Sequence, residues 1–442
     1  MYEFVKKQDK DIYNMLLEEE ERQAEGLELI PSENIVSQAV REAVGSCLTN
    51  KYSEGYPHAR YYGGNEVIDK VEDIARERAK KIFGVPYVNV QPYSGSPANL
   101  AVYLATCSPG DTVMGQLLTA GGHLTHGWKA SATSIFYNAV QYGVKPDGYL
   151  DLKEIARLAK EHKPKLIWGG ATAYVREFPF KELAKIADSV GAYLAADIAH
   201  IAGLVVAGAH QSPVPYAHIV TTTTHKTLRG PRGGMIMVTK KGLAKDPELG
   251  AKIDRAIFPN LQGGPHNHTT AGIAVALKEA GTPAFRAYGK QIVKNAKTLG
   301  ETLVREGVEI VSGGTDNHMV LVKCGAGRGA IVEIALDAIG LTTNKNTIPD
   351  EPSSPFYPSG IRIGTPSVTT RRMKEREMKL IGKWIAEVMR LTKKEELPTD
   401  KSARKAYLAG FKKRAHADPA LAKLHKEVKA LCKKFPIPET FI

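Results

Sequence analysis

The sequence holds no apolar run approaching the roughly 18 residues that a membrane-spanning helix needs, so no span is expected. Its opening, MYEFVKKQDKDIYNMLLEEEERQ, lacks the apolar segment of a secretory signal. It also carries the acidic run Glu18 to Glu21, which import peptides avoid. Cysteine is scarce. Cys47, Cys107, Cys324 and Cys432 show no C-x-x-C spacing, which argues against a disulfide framework or a zinc site and fits a reducing cytoplasm. No G-x-S-x-G, P-loop or H-E-x-x-H occurs, leaving hydrolase, NTPase and zinc-protease readings without an anchor. The stretch GAGRGA (325–330) loosely matches a dinucleotide fingerprint. No βαβ repeat or ribose-binding acid follows it, so it reads as a turn.

What is present is a chain of 442 residues, 43% hydrophobic and 24% charged, with the size of two domains and the balance of a soluble globular protein. The net charge is +13, and much of it falls late: 13 Lys or Arg against 5 Asp or Glu between Lys393 and Lys434. No aromatic stacking motif accompanies that charge. A solvated helical face is therefore expected there, with nucleic-acid binding as the alternative.

The first ~25 residues read as a charged amphipathic helix. LIPSEN (29–34) and KYSEGYPHARYYGG (51–64) are too rich in Tyr, Gly and Pro for regular elements and read as ordered loops or an arm on another chain. From residue 65 helical and apolar runs alternate. A helix over 66–83 precedes the strand YVNVQ (87–91), and SGSPAN (94–99) opens the next helix. Further strands are expected at 112–115, 165–170, 192–197, 218–223 and 233–238, with helices at 152–162 and 180–191. Strands apolar throughout and alternating with helices indicate a mostly parallel sheet covered on both faces. After a long helix near 283–306, strands at 309–313 and 318–324 begin a smaller α+β unit. The expected division is an arm (1–64), a large α/β domain (65–280) and a small domain with a basic helical tail (281–442).

Five motifs carry chemistry. TTTTHKTLRGPRGG (221–234) delivers His225 and Lys226 from a strand end into a glycine-rich loop, where ligands of open α/β sheets bind. With His225, Arg229 and Arg232 around it, the Lys226 amine is suited to a carbonyl cofactor. ADIAHIAG (196–203) places Asp197 at another strand end, 29 residues earlier. Pyridoxal 5′-phosphate (PLP) needs such a carboxylate against its pyridine nitrogen, with His200 near its ring hydroxyl, although Asp197 also reads as a helix N-cap. Ser94, Gly95 and Ser96 open a helix and offer a phosphate cradle, or an ordinary β-to-α turn. In TAGGHLTHGW (119–128), His123 is placed to stack on a planar ring. The His123-x-x-His126 spacing lacks the partners of a zinc site, and no metal is expected. Arg362 in SGIRIGTP (359–366) lies in a loop held by Gly and Pro and offers a bidentate grip for a carboxylate.

Taken in order, LIPSEN, NKYSEGYP, RYYGG, GGHLTHG, TTTTHKTLRGPRGG, SGGTDNH, NKN and SGIRIGTP resemble serine hydroxymethyltransferase, a fold-type I PLP-dependent family, over roughly residues 25–390. The resemblance implies a mostly parallel seven-stranded sheet in the large domain. It implies a Schiff base between PLP and Lys226, a pyridinium partner in Asp197, ring contacts from His123, His200 and Thr172, and a phosphate turn at Ser94, Gly95 and Ser96. Tyr52, Gly263 and Gly264 would reach the phosphate from a neighbouring subunit. Ser32 and Arg362 would hold the substrate carboxylate. Glu54 would be the acid–base glutamate given across a homodimer, beside Tyr62, with His225 also in the catalytic set. Leu118, Gly122, His123, Leu124, Asn346, Ser354, Pro355 and Phe356 match places where folate lies. The implied reaction moves the hydroxymethyl carbon of serine reversibly to tetrahydrofolate, giving glycine. The implied assembly is a cytoplasmic homodimer or tetramer with shared sites. Pro97 and Thr172 depart from residues frequent in the family, where Gln and Ser are common. A PLP aldolase or an α-methylserine hydroxymethyltransferase would keep many of the same motifs.

Overall fold

Short segments rich in β-branched and aliphatic residues, which fit a buried pleated surface, build the central sheet. Its strands are β1 (Tyr87–Asn89), β2 (Thr112–Gln116), β3 (Asn138–Tyr142), β4 (Leu166–Gly169), β5 (Tyr193–Asp197), β6 (Ile219–Thr223) and β7 (Gly234–Val238). The computed structural model describes residues 2–438 and 440. The strand order is β1-β7-β6-β5-β4-β2-β3. Strands β2 to β6 run parallel, and β7 lies antiparallel to both β6 and β1. Alternate residues of one strand enter different cores: Ile167, Leu194 and Val220 pack on one face, Trp168, Ala195 and Ile219 on the other. This is the two-face coverage expected of uninterrupted apolar strands, and the fold is α/β.

Helices Glu66–Phe83 and Leu152–His162 occupy the ranges expected from their apolar spacing. The first ends at Gly84, whose φ of 70° supplies the left-handed residue that closes a helix. Asp151 caps the second through Lys153 and Glu154 N–H groups.

Three expectations need correction. The N-terminal helix is two, Glu3–Gln8 and Lys10–Glu25, because Asp9 turns extended and caps the second. The expected strand at 309–313 is a single bridge from Ile310 to Val322, followed by a turn in which Ser312 and Gly313 take φ of 58° and 63°. Strand β3 was not anticipated; its residues are mostly half-buried at the sheet edge.

The smaller sheet comprises β8 (Met319–Lys323), β9 (Asn344–Asn346) and β10 (Gly360–Gly364), in the antiparallel order β8-β10-β9. Its core also contains Leu27 and Leu29 from the N-terminal segment, and Phe411, Leu421, Val428 and Leu431 from the basic tail. Helix Pro283–Arg305 joins both halves, with Phe285 and Ile292 in one core and Leu299 and Leu303 in the other. Among the described residues no helix is long and apolar enough to cross a membrane.

Candidate active site

Lys226 lies in the loop between β6 and β7. Thr224 Oγ1 donates to the Pro231 carbonyl (2.6 Å), Gly230 N–H to the Thr224 carbonyl (2.6 Å), and Asn34 Nδ2 to the carbonyl of Lys226 itself (3.0 Å). The loop is thus a rigid mount. Desolvation pulls the Lys226 ammonium down to about 8; Arg362 and Arg232 add to this and Asp197 opposes it.

Asp197, at the carboxyl end of β5, has a side chain only 10% exposed. It accepts from Asn99 Nδ2 (2.9 Å), His126 Nε2 (3.2 Å) and the Ala199 N–H (3.0 Å). Burial alone would raise this carboxyl, but the bonds and charges of His126, His123 and Asn99 outweigh it and hold it well below the usual carboxylate range. Asn99 is oriented in turn by Thr221 Oγ1 (2.7 Å), and the His126 ring stacks on Trp168 at 5.0 Å. None of Asn99, His126 or Trp168 was assigned this role from sequence.

His123 is neutral near pH 7, since burial pushes its imidazole down to about 4 against the pull of Asp197. Its Nδ1 accepts from the Thr125 N–H (3.3 Å), which leaves the proton on Nε2. His200 is buried and meets His318, on the small sheet's side, at 3.3 Å between Nδ1 and Nε2. Burial and the cations Lys226 and Arg362 keep both rings neutral, His318 titrating at about 3. His225 is pushed down to about 3 by burial, then by Lys226 and Arg232.

Arg362, expected in a loop, stands instead in the middle of β10, which is paired on both sides by β8 and β9. It donates from Nε to Asn344 Oδ1 (3.1 Å) and from Nη1 to the Thr172 carbonyl, and neither bond uses Nη2. The Thr172 hydroxyl donates to the carbonyls of Gly121 (3.1 Å) and Gly122 (2.9 Å), so it braces the loop that carries His123. Ser94 is extended and its side chain makes no capping bond to helix Gly95–Thr106. Of the first turn, Pro97 has no N–H and the Ala98 N–H bonds the Ser94 carbonyl (3.2 Å), so the N–H groups of Gly95 and Ser96, with the two serine side chains, are what this helix end can offer an anion. Ser32 and His225 line a cavity of about 770 Å³ together with Arg232.

A second cluster lies on the same chain. A Cβ on Gly263 would stand 3.2 Å from Glu54 Oε1, and one on Gly264 would stand 3.2 Å from the Tyr52 ring. Tyr52 meets Tyr62 edge-on at 5.1 Å, and Tyr93 Oη donates to the Gly264 carbonyl (2.8 Å). The residues expected to serve a neighbouring subunit are therefore grouped, while the charges acting on Lys226 are Asp197, Arg362 and Arg232.

Some of the folate candidates are tied together. Thr347 Oγ1 donates to the Thr119 carbonyl (2.9 Å), which ties Asn346 to the loop holding Leu118 and Gly122. A Cβ on Gly122 would meet the Gln116 carbonyl at 1.9 Å, so only glycine fits. Glu351 folds the segment bearing Ser354 and Pro355 by accepting from the Ile348 and Ser359 N–H groups. Leu124 and Phe356 are 50% and 82% exposed. One potential ligand atom from each of His123, His126 and Asp197 lies within 4.8 Å of the others, and His126 also bonds Asp197.

The family model described as serine hydroxymethyltransferase matches residues 5–385. The chain belongs to the serine hydroxymethyltransferase family. Its relatives include the serine hydroxymethyltransferase of Acidothermus cellulolyticus, 52% identical over 433 residues, spanning 97% of this chain and 96% of that one. That of Sorangium cellulosum is also 52% identical over 433 residues, 97% and 95% of the two chains. The family uses PLP, with tetrahydrofolate as co-substrate. The donor set fits PLP. An amine of lowered pKa, a carboxylate held ionised, a neutral imidazole and an uncapped helix N-terminus match the aldehyde, pyridinium, ring face and phosphate of the cofactor.

Proposed function

We propose that this chain transfers the hydroxymethyl carbon of serine reversibly to tetrahydrofolate, giving glycine and 5,10-methylenetetrahydrofolate, at a site built on Lys226. Bound PLP supplies an electron sink for charge left on the substrate's α-carbon. The remaining work falls to side chains. Lys226, partly neutral near pH 8, holds the cofactor and later releases product. Asp197, held ionised, would pair with the cofactor's pyridine nitrogen and keep it protonated. His123, neutral near pH 7, would offer a flat face to the cofactor ring. Arg362, with Ser32, grips the amino-acid carboxylate. His200 and Thr172 would border the ring. Glu54, beside Tyr62, manages the proton at the hydroxyl or the folate, and His225 borders the lysine.

What supports a shared site is that Tyr52, Glu54, Tyr62, Gly263 and Gly264 group together, while the charges acting on Lys226 are Asp197, Arg362 and Arg232. We read this as a set given to a second copy in a homodimer. The arm (1–64), large domain (65–280) and small domain (281–442) form the corresponding division, and a cytoplasmic location suits it. Exposed Leu124 and Phe356, with Leu118, Gly122, Asn346, Ser354 and Pro355, supply the folate rim.

What supports the reading is that the buried Lys226 amine feels the charges of Asp197, Arg362 and Arg232 and is lowered by its desolvation to about 8. The test is a visible spectrum of the purified holoprotein with glycine, before and after tetrahydrofolate. A long-wavelength band that grows only with folate is expected. No cofactor absorption, or serine cleavage equally fast without folate, would overturn the reading.

A further inference from the structure

The geometry points to Arg60 as the residue that positions Glu54, by clamping the peptide carbonyls on either side of it. The inference rests on Glu54 being the acid–base group of the reaction. Glu54 precedes a hairpin in which Gly55–Tyr56 pairs with Ala59–Arg60. Two paired residues per strand are too few to hold a side chain in place unaided. The support comes from beneath. Arg60 Nη1 donates to the carbonyl of Ser53 (3.0 Å) and to that of Gly55 (2.9 Å). Its Nε and Nη2 bind Asp69 Oδ1 and Glu72 Oε2, both at 2.8 Å. Gln91 Nε2 adds a bond to the Gly55 carbonyl (3.0 Å) and another to Glu72 Oε1 (3.0 Å). The carbonyl of Glu54 itself accepts from the Tyr61 N–H (3.0 Å). Three consecutive peptide carbonyls are thus fixed.

Asp69 and Glu72 lie three residues apart on one face of helix Glu66–Phe83, both buried. The Arg60 side chain is 3% exposed and that of Glu72 4%. A buried ion group of this kind is a poor source of stability compared with packed apolar side chains. What it supplies is direction: the planar guanidinium reaches two carboxylates and two carbonyls at once, which the single ammonium of lysine does not reproduce. The clamp makes no contact with the Glu54 carboxylate, whose Oε1 stands beside Gly263. Arg60 therefore acts through the backbone, as a positioning residue.

The test is a double-mutant cycle on the PLP-loaded, full-length protein with serine and tetrahydrofolate: Glu54→Gln, Arg60→Lys and the two together. Arg60→Lys retains the charge that Asp69 and Glu72 require. It is expected to lower kcat about 10- to 100-fold, the scale of a misplaced catalytic group. KM for serine and the cofactor absorption should stay within about threefold and near wild type, respectively. In the Glu54→Gln background the same change should cost less than about threefold, because the group it positions is already gone. A wild-type rate for Glu54→Gln would remove the role of Glu54 itself. A slow Glu54→Gln with an equal Arg60→Lys loss in both backgrounds, or a loss that follows cofactor content, would overturn the clamp alone. If Arg60→Lys does not fold, Glu72→Gln enters the same cycle under the same criteria.

Discussion

His123 enters the folded state neutral, with a pKa of about 4 against an unfolded value near 6.5. Between those two values the unfolded chain binds the additional proton. Stability from this group is therefore intact above about pH 6.5 and falls as the pH drops toward 4, by up to about 1.4 kcal/mol per pH unit. In cofactor-free protein, His123→Phe should flatten the dependence of the urea midpoint on pH across that window by about one proton; an unchanged slope would count against it. Lys226, Asp197, His123 and His200 could be singled out in the sequence because each sits at a strand end or in a loop beside one, whereas Arg362, read as part of a loop held by Gly and Pro, stands in the middle of β10. His126 and Asn99 could not. They act on Asp197 from 71 and 98 residues away, and only the folded sheet brings them there.

At the scale of elements, the end of β4 shapes the site as much as any polar group. Gly170 follows β4 with φ of 142°, and a Cβ there would lie 2.1 Å from the carbonyl of Asp197. Gly170→Ala must strain its own backbone and displace the end of β5. A loss of about 2 kcal/mol or more in urea unfolding is expected, with weaker PLP binding by titration. Gly143→Ala, with no neighbour within 4 Å, should change neither. Helices 66–83 and 152–162 were legible because amphipathic spacing and capping residues agree with packing. The segment 309–313 misled because its apolar start ends at two residues of positive φ, Ser312 and Gly313.

For the whole molecule, the two clusters of site residues make assembly testable. Mixing Lys226→Ala with Glu54→Gln protein, after exchange of subunits, should restore up to about a quarter of wild-type activity. Half the randomly paired dimers are mixed, and each has one intact site of two. No recovery would mean that each chain builds its site alone. The basic tail illustrates where composition stops. Its charge was evident, but the burial of Phe411, Leu421 and Val428 in the second core appears only in the fold. Helix Pro283–Arg305 carries a last consequence. Its 23 residues run about 35 Å. With Phe285 anchored at one end and Leu303 at the other, it works as a common axle. Neither half can melt without unseating the shaft of its neighbour, so calorimetry should record one endothermic peak, and brief proteolysis should not release either half as a resistant fragment.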